Sequence, residues 1–76
     1  MPPVSITIVG LLKSYAQNRE SLTLDAAGKS ISRVLTELGI PSVLVAVVLI
    51  NGRKEMKSYV LQDGDVVKLA PLLGGG

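Results

Sequence analysis

The sequence predicts an α+β fold, one helix laid across one face of a mixed β-sheet of four to five strands. Three observations predict it. Val4, Ile6 and Ile8 alternate with Ser5 and Thr7 near the start of the chain, the period-two pattern of a strand with one buried face. Ile31, Val34, Leu35 and Leu38 fall at i, i+3, i+4 and i+7, an apolar stripe along one helical face. A β-rich second half carries two tight-turn signals, Asn51-Gly52 and Asp63-Gly64-Asp65.

The elements follow in order. The first strand closes at Gly10, and residues 11–19 read as a turn-rich connection in which Leu11, Leu12 and Tyr15 form one helical turn. Residues 20–25 alternate again and are expected to pair antiparallel with the first strand. Ser30 suits the N-cap of the helix, because its hydroxyl can accept from an orphaned amide of the first turn. Gly39 suits the left-handed position past the helix end, and Pro41 forbids continuation. Val43 to Ile50 is apolar throughout and reads as a buried strand, with Arg53 to Lys57 returning as a short polar edge after the turn. Val66 to Ala70 forms the last strand, and Asp63 or Asp65 is placed to cap free amides at its entry. The first and last strands are expected side by side in the middle of the sheet, flanked by their antiparallel partners.

Composition narrows the chemistry. Seventy-six residues allow one domain, 1–76, whose stability must come from an efficient aliphatic core. The chain is 47% hydrophobic with only 3% aromatic residues, and it has no cysteine and no histidine. Disulfides, thiolate metal sites, a cysteine nucleophile and the usual neutral-pH general base are therefore excluded, and no metal site is expected. A net charge of +2 with interspersed signs is no nucleic-acid footprint. The start of the chain lacks the n-region and h-region of a signal peptide. Its longest apolar run, eight residues from Val43 to Ile50, is far short of the roughly 20 needed to cross a bilayer. A soluble cytoplasmic domain without nucleic-acid or membrane partners is the expectation.

The tail, Pro71-Leu72-Leu73-Gly74-Gly75-Gly76, is the most suggestive stretch. Glycine is costly to order and has no side chain to pack, so residues 71–76 are expected to form a thin flexible arm able to enter a narrow channel. Its competing reading is a frayed terminus.

The order of elements, with Leu49-Ile50-Asn51-Gly52, then residues 61–67 around Asp63-Gly64-Asp65, then Pro71-Leu72-Leu73-Gly74-Gly75, resembles the ubiquitin-like β-grasp fold. Within it, the sequence resembles the MoaD/ThiS sulfur carriers, the small subunit of molybdopterin synthase and the thiamine-biosynthesis carrier. The resemblance implies that the terminal glycine carboxylate, of Gly76 or of Gly75, is adenylated by a separate ATP-dependent E1-like enzyme. A persulfide from a cysteine desulfurase or rhodanese-type donor then converts it to a thiocarboxylate. The acceptor would be the large subunit of molybdopterin synthase or a thiazole synthase. Three terminal glycines where the family pattern has two leave the activated residue open between Gly75 and Gly76.

The chain carries no phosphate-cradling motif and no nucleophile–base pair, so it is expected to be a carrier and substrate, not an enzyme, and to need no cofactor. Alignment with the family on Asn51 implies that Leu44, Ala46, Val48 and Ile50 face the helix. That leaves Val45, Val47 and Leu49 outward as a partner-binding patch continuous with Leu72 and Leu73 of the arm. The competing reading of that strand is burial on both faces or self-association. Two other functions fit the same residues: a ubiquitin-like modifier joined to lysines through its C-terminal glycine, and a non-covalent binding module.

Overall fold

The structure, a computed structural model, describes residues 2–72. Its strands are β1 (Val4–Ile8), β2 (Ser21–Leu24), β3 (Val45–Ile50), β4 (Arg53–Lys54) and β5 (Val66–Pro71), with one α-helix, α1 (Ile31–Leu38). Two 3₁₀ turns, Gly10–Ala16 and Ser42–Leu44, complete the elements. The sheet order is β2-β1-β5-β3-β4. β1 and β5 run parallel in the centre, with Ser5 opposite Val66 and Ile8 opposite Leu69. Antiparallel β2 and β3 cover their outer sides. This is the ubiquitin-like β-grasp arrangement.

Alternation decides which face is buried. Val4, Ile6 and Ile8 of β1, Val67 and Leu69 of β5, and Val48 and Ile50 of β3 all enter one aliphatic core. Ile31, Val34 and Leu35 of α1 meet them from above. The helix is delimited as its sequence predicts. The Ser30 hydroxyl accepts from the Arg33 amide at 3.2 Å, and Gly39, at φ +79°, turns the chain out of the helix. Leu12 and Ala16 of the first 3₁₀ turn, with Ala26, Ile40 and Leu61 from connections, seal the rim of the core.

Three expectations need correction. The connection after β1 is a seven-residue 3₁₀ helix, not one loose turn; it buries Leu12 and Ala16 while Leu11 and Tyr15 face out. The edge strand β4 is two residues long, because after Glu55, whose amide still donates to the Val48 carbonyl at 3.0 Å, the chain turns over residues 56–59 and brings the Tyr59 carbonyl to the Ile31 amide of the helix. Val45 does not point outward: it is 2% exposed and part of the core. The cause is a β-bulge. Val45 stands opposite Pro71 and Val47 opposite Ala70, so Ala46 is an extra residue that reverses the side-chain parity of everything before it. Ala46, expected inward, is exposed, as is Leu44, which lies in the 3₁₀ turn ahead of the strand.

Candidate functional site: the collar where the last strand ends

β5 lies in the middle of the sheet, paired with β1 over residues 66–69 and with β3 over residues 67–71. Its last residue, Pro71, is buried opposite Val45, and Leu72 directly beyond it is 77% exposed. The chain therefore passes from the centre of the core to solvent within one residue.

Apolar side chains surround that exit. The first 3₁₀ turn supplies Leu11 and Tyr15, the second supplies Val43 and Leu44, and with Pro71 and Leu72 they line a groove of about 360 Å³. Leu11 is 79% and Val43 88% exposed, values at which a large aliphatic side chain gains little from folding. No lining residue carries a charge at neutral pH. The Ser14 hydroxyl at the groove's edge is already spent, donating to the Leu11 carbonyl at 2.8 Å. Local sequence explains the placement. Gly10, at φ +63°, bends the chain from β1 into the 3₁₀ turn, and a Cβ there would stand 3.4 Å from the Pro71 ring. The turn is thereby laid against the end of β5.

A second surface lies on the sheet face opposite α1. Val47 and Leu49 are half-buried there, beside Ala70 of β5. Leu49 has Lys54 on one neighbouring strand and Lys68 on the other, both exposed. Of the outward residues expected on β3, the structure places Val47 and Leu49 on this face and removes Val45 from it.

The turns the sequence singled out are joined by a buried carboxylate. Asp65, 6% exposed, accepts from the Tyr59 hydroxyl at 2.8 Å and the Gln62 amide at 2.9 Å through Oδ2. Its Oδ1 accepts from the Asn51 side-chain amide at 2.9 Å. Asn51 in turn accepts from the Val66 amide at 2.9 Å, so the β3–β4 hairpin is pinned to the start of β5. Burial pushes the Asp65 pKa up, but the hydrogen bonds from Gln62, Asn51 and Tyr59 outweigh it and hold the carboxyl below its ordinary value. Both carboxylate oxygens of this node are committed to scaffold, and among the described residues no cluster of potential metal ligands occurs. No helix among them is long and apolar enough to cross a membrane.

Pro71, expected as the first residue of the flexible arm, is instead the buried last residue of β5, because its ring packs inward opposite Val45. Leu72 stands at the base of the expected arm, and Leu73, Gly74, Gly75 and Gly76 lie outside the described residues. Sequence reasoning missed Leu11, Tyr15, Val43 and Leu44 as a set. The available signal was apolar residues directly after the breakers Gly10 and Pro41-Ser42, where Leu11 and Tyr15 read as one turn of a connection and Val43 and Leu44 as the beginning of a buried strand.

A family model described as Mut7-C ubiquitin matches residues 9–74. No curated protein matches the chain in sequence. Among solved structures, it is similar to Urm1 from Trypanosoma brucei at 22% identity and a TM-score of 0.72, covering 97% of this chain and 95% of that one. SAMP1 from Haloferax volcanii is similar at 19% identity and a TM-score of 0.73, over 97% of this chain and 99% of the other. At such identities the likeness speaks for the fold.

Proposed function

The chain belongs to the Mut7-C ubiquitin family, and from that premise we propose that it is a ubiquitin-like sulfur carrier whose glycine terminus is charged by a separate enzyme. One observation carries the reading. The central strand of the sheet delivers the chain to solvent through an uncharged collar at Leu72, and the sequence beyond is Leu73-Gly74-Gly75-Gly76. A folded body whose central strand leads into a segment closing on three glycines is what a carrier needs to pass one carboxyl between two enclosed sites.

The chemistry is supplied by partners. A terminal carboxylate, with a pKa of about 3.3–3.7, is anionic and unreactive at neutral pH. An E1-like enzyme would join it to ATP, forming an acyl adenylate and releasing pyrophosphate. The terminal sulfur of a donor's persulfide then attacks the acyl carbon and AMP leaves. A thiol finally cleaves the resulting sulfur–sulfur bond, leaving a thiocarboxylate on Gly76, or on Gly75 if the last glycine is trimmed. A persulfide-bearing desulfurase or rhodanese-type protein suits the donor role, and a cofactor synthase of the molybdopterin or thiazole type suits the acceptor. Val47 and Leu49, with Lys54 and Lys68 beside them, are proposed as the docking face for these proteins; Val45, buried, is not.

The ubiquitin name of the family favours a second reading, in which the same adenylate is joined to lysines of other proteins. Intact-mass measurement of the chain recovered from its native cell separates the two. A gain equal to sulfur minus oxygen is expected for the carrier. Higher-mass conjugates without that gain would replace the carrier by the modifier, and an unaltered carboxylate in every form would end both.

A further inference from the structure

We propose that the uncharged collar around Leu72 is the seat of the channel mouth of the enzyme that activates the terminus, and that Leu11 and Val43 are its anchors. The inference rests on the carrier reading above and adds to it the surface that the partner must cover and that surface's chemistry.

Reach is the first argument. On the carrier reading the activated carboxyl belongs to Gly76 or Gly75, four or three residues past Leu72. An extended chain gains at most about 3.6 Å per residue, so that carboxyl lies no farther than roughly 14 Å from Leu72. An enclosed adenylation site sits below its enzyme's surface, and each ångström of that depth is subtracted from the reach. Little is left over. The enzyme's entrance must close onto the residues that surround the exit of β5, and those are Leu11, Tyr15, Val43 and Leu44. The sheet face bearing Val47 and Leu49 can add contact area, but it cannot substitute for contact at the collar.

Chemistry is the second argument. The collar offers exposed aliphatic surface, no charge, and a serine hydroxyl already satisfied within its own turn. Its complement is an apolar, uncharged rim, because a charged group pressed against it would lose its water without gaining a partner. The two cations nearest the collar are both engaged outside the groove: Lys13 pairs with Glu20 at 3.6 Å, and Lys57 donates to the Ser42 carbonyl at 2.6 Å. Neither is part of the apolar surface that the rim would cover.

The test uses the full chain produced in its native cell, with the thiocarboxylate fraction read by intact mass for wild type, Leu11→Asp, Val43→Asp, Val43→Leu and Val60→Asp. Val60 is half-exposed at the opposite end of α1, bridged to Ser30, and serves as the remote apolar-to-acid control. Thermal melts of the purified variants check that each folds, which the exposure of Leu11 and Val43 favours. The charged fraction is expected to fall at least about tenfold in both collar aspartates, as for loss of an interface anchor, and to persist in Val43→Leu and Val60→Asp. Collar aspartates charged as fully as wild type would overturn the proposal while leaving the carrier reading intact. That outcome with increased charging would make the chain's own end the occupant, and with a wild-type dimer dissolved by either aspartate it would make a second copy the occupant. An equal loss in Val60→Asp would also overturn the assignment to the collar. Wild type that never takes up sulfur would bring down the carrier reading, and this inference with it.

Discussion

Asp65 does the most concentrated work of any single residue. Three donors converge on its carboxylate, from Asn51, Tyr59 and Gln62, and an asparagine cannot accept all three, because its amide nitrogen would face a donor. Asp65→Asn is therefore expected to destabilise the domain by about 1–3 kcal/mol at neutral pH, the usual cost of leaving a buried partner unpaired. The pH dependence has a definite sign. The folded protein holds the Asp65 pKa below its ordinary value, so the stabilisation is complete above the unfolded-state pKa of about 3.9 and is lost as the pH falls through it toward the folded value. In urea titrations across pH 2–7 the gap between wild type and Asp65→Asn should be widest near neutrality and close below about pH 4. A gap that stays constant with pH would mean the carboxylate's charge contributes nothing. Glu37, whose pKa hydrogen bonds from Lys29 and then Arg33 lower, adds an acid sensitivity common to both proteins and cancels from the difference. The sequence left Asp63 and Asp65 equally suited to this role, since either flanks Gly64. Only the return of Tyr59, six residues upstream, selects Asp65, and that depends on a turn no periodicity announces.

The elements differ in how plainly the chain announces them. β1 and α1 are legible because polar residues mark the face that stays wet; Ser5 and Thr7 do so in β1, and Arg33, Thr36 and Glu37 in α1. β3 lacks such marks: from Val43 to Ile50 every residue is apolar, so nothing in the run tells a regular strand from one carrying an extra residue at Ala46. Its inward and outward sets came out correctly for Val47 to Ile50 and reversed for Val45 and Ala46 for that reason. The collar was illegible for a related cause. Leu11 and Val43 look like core residues in sequence, and they become surface only because two 3₁₀ turns carry them past the edge of the sheet. The eight-residue helix depends heavily on its ends, being too short to be stable by propensity alone. Ser30→Ala should cost about 0.5–2 kcal/mol by losing the bond to the Arg33 amide. Gly39→Ala meets no steric obstacle, its nearest neighbour being the Tyr15 carbonyl at 3.7 Å, so its cost of about 1–2 kcal/mol is the left-handed backbone alone. The two sites lie at opposite ends of α1 and share no partner, so their effects in denaturant unfolding should add to within about 0.5 kcal/mol. A double variant that falls well short of the sum would show that the first loss had already frayed the helix.

At the scale of the whole molecule, the topology places the last strand of the chain at the centre of everything else. β5 joins the two halves of the sheet, with residues more than 60 positions apart, such as Ser5 and Val66, paired on its β1 side and β3 paired on the other. A domain of 76 residues has a net stability of roughly 4–11 kcal/mol, so one well-packed side chain on this strand is a large share of the total. Leu69 is such a side chain: fully buried, it stands between Ile8 and Val48. Leu69→Ala should cost about 2.7–5 kcal/mol, since neighbours held on both sides cannot collapse into the cavity. Leu22, half-buried on the outer strand β2 and packed against the same core, has a free edge beside it that can relax, and Leu22→Ala should cost about half as much. Urea unfolding of the pair, with the slope of free energy on denaturant checked for equality, measures the difference directly. Comparable losses at the two sites would mean that the core yields evenly across the sheet. The base of the exit would then be no firmer than its edge, and the body would lose its claim to hold the end of β5 in a fixed place for a partner.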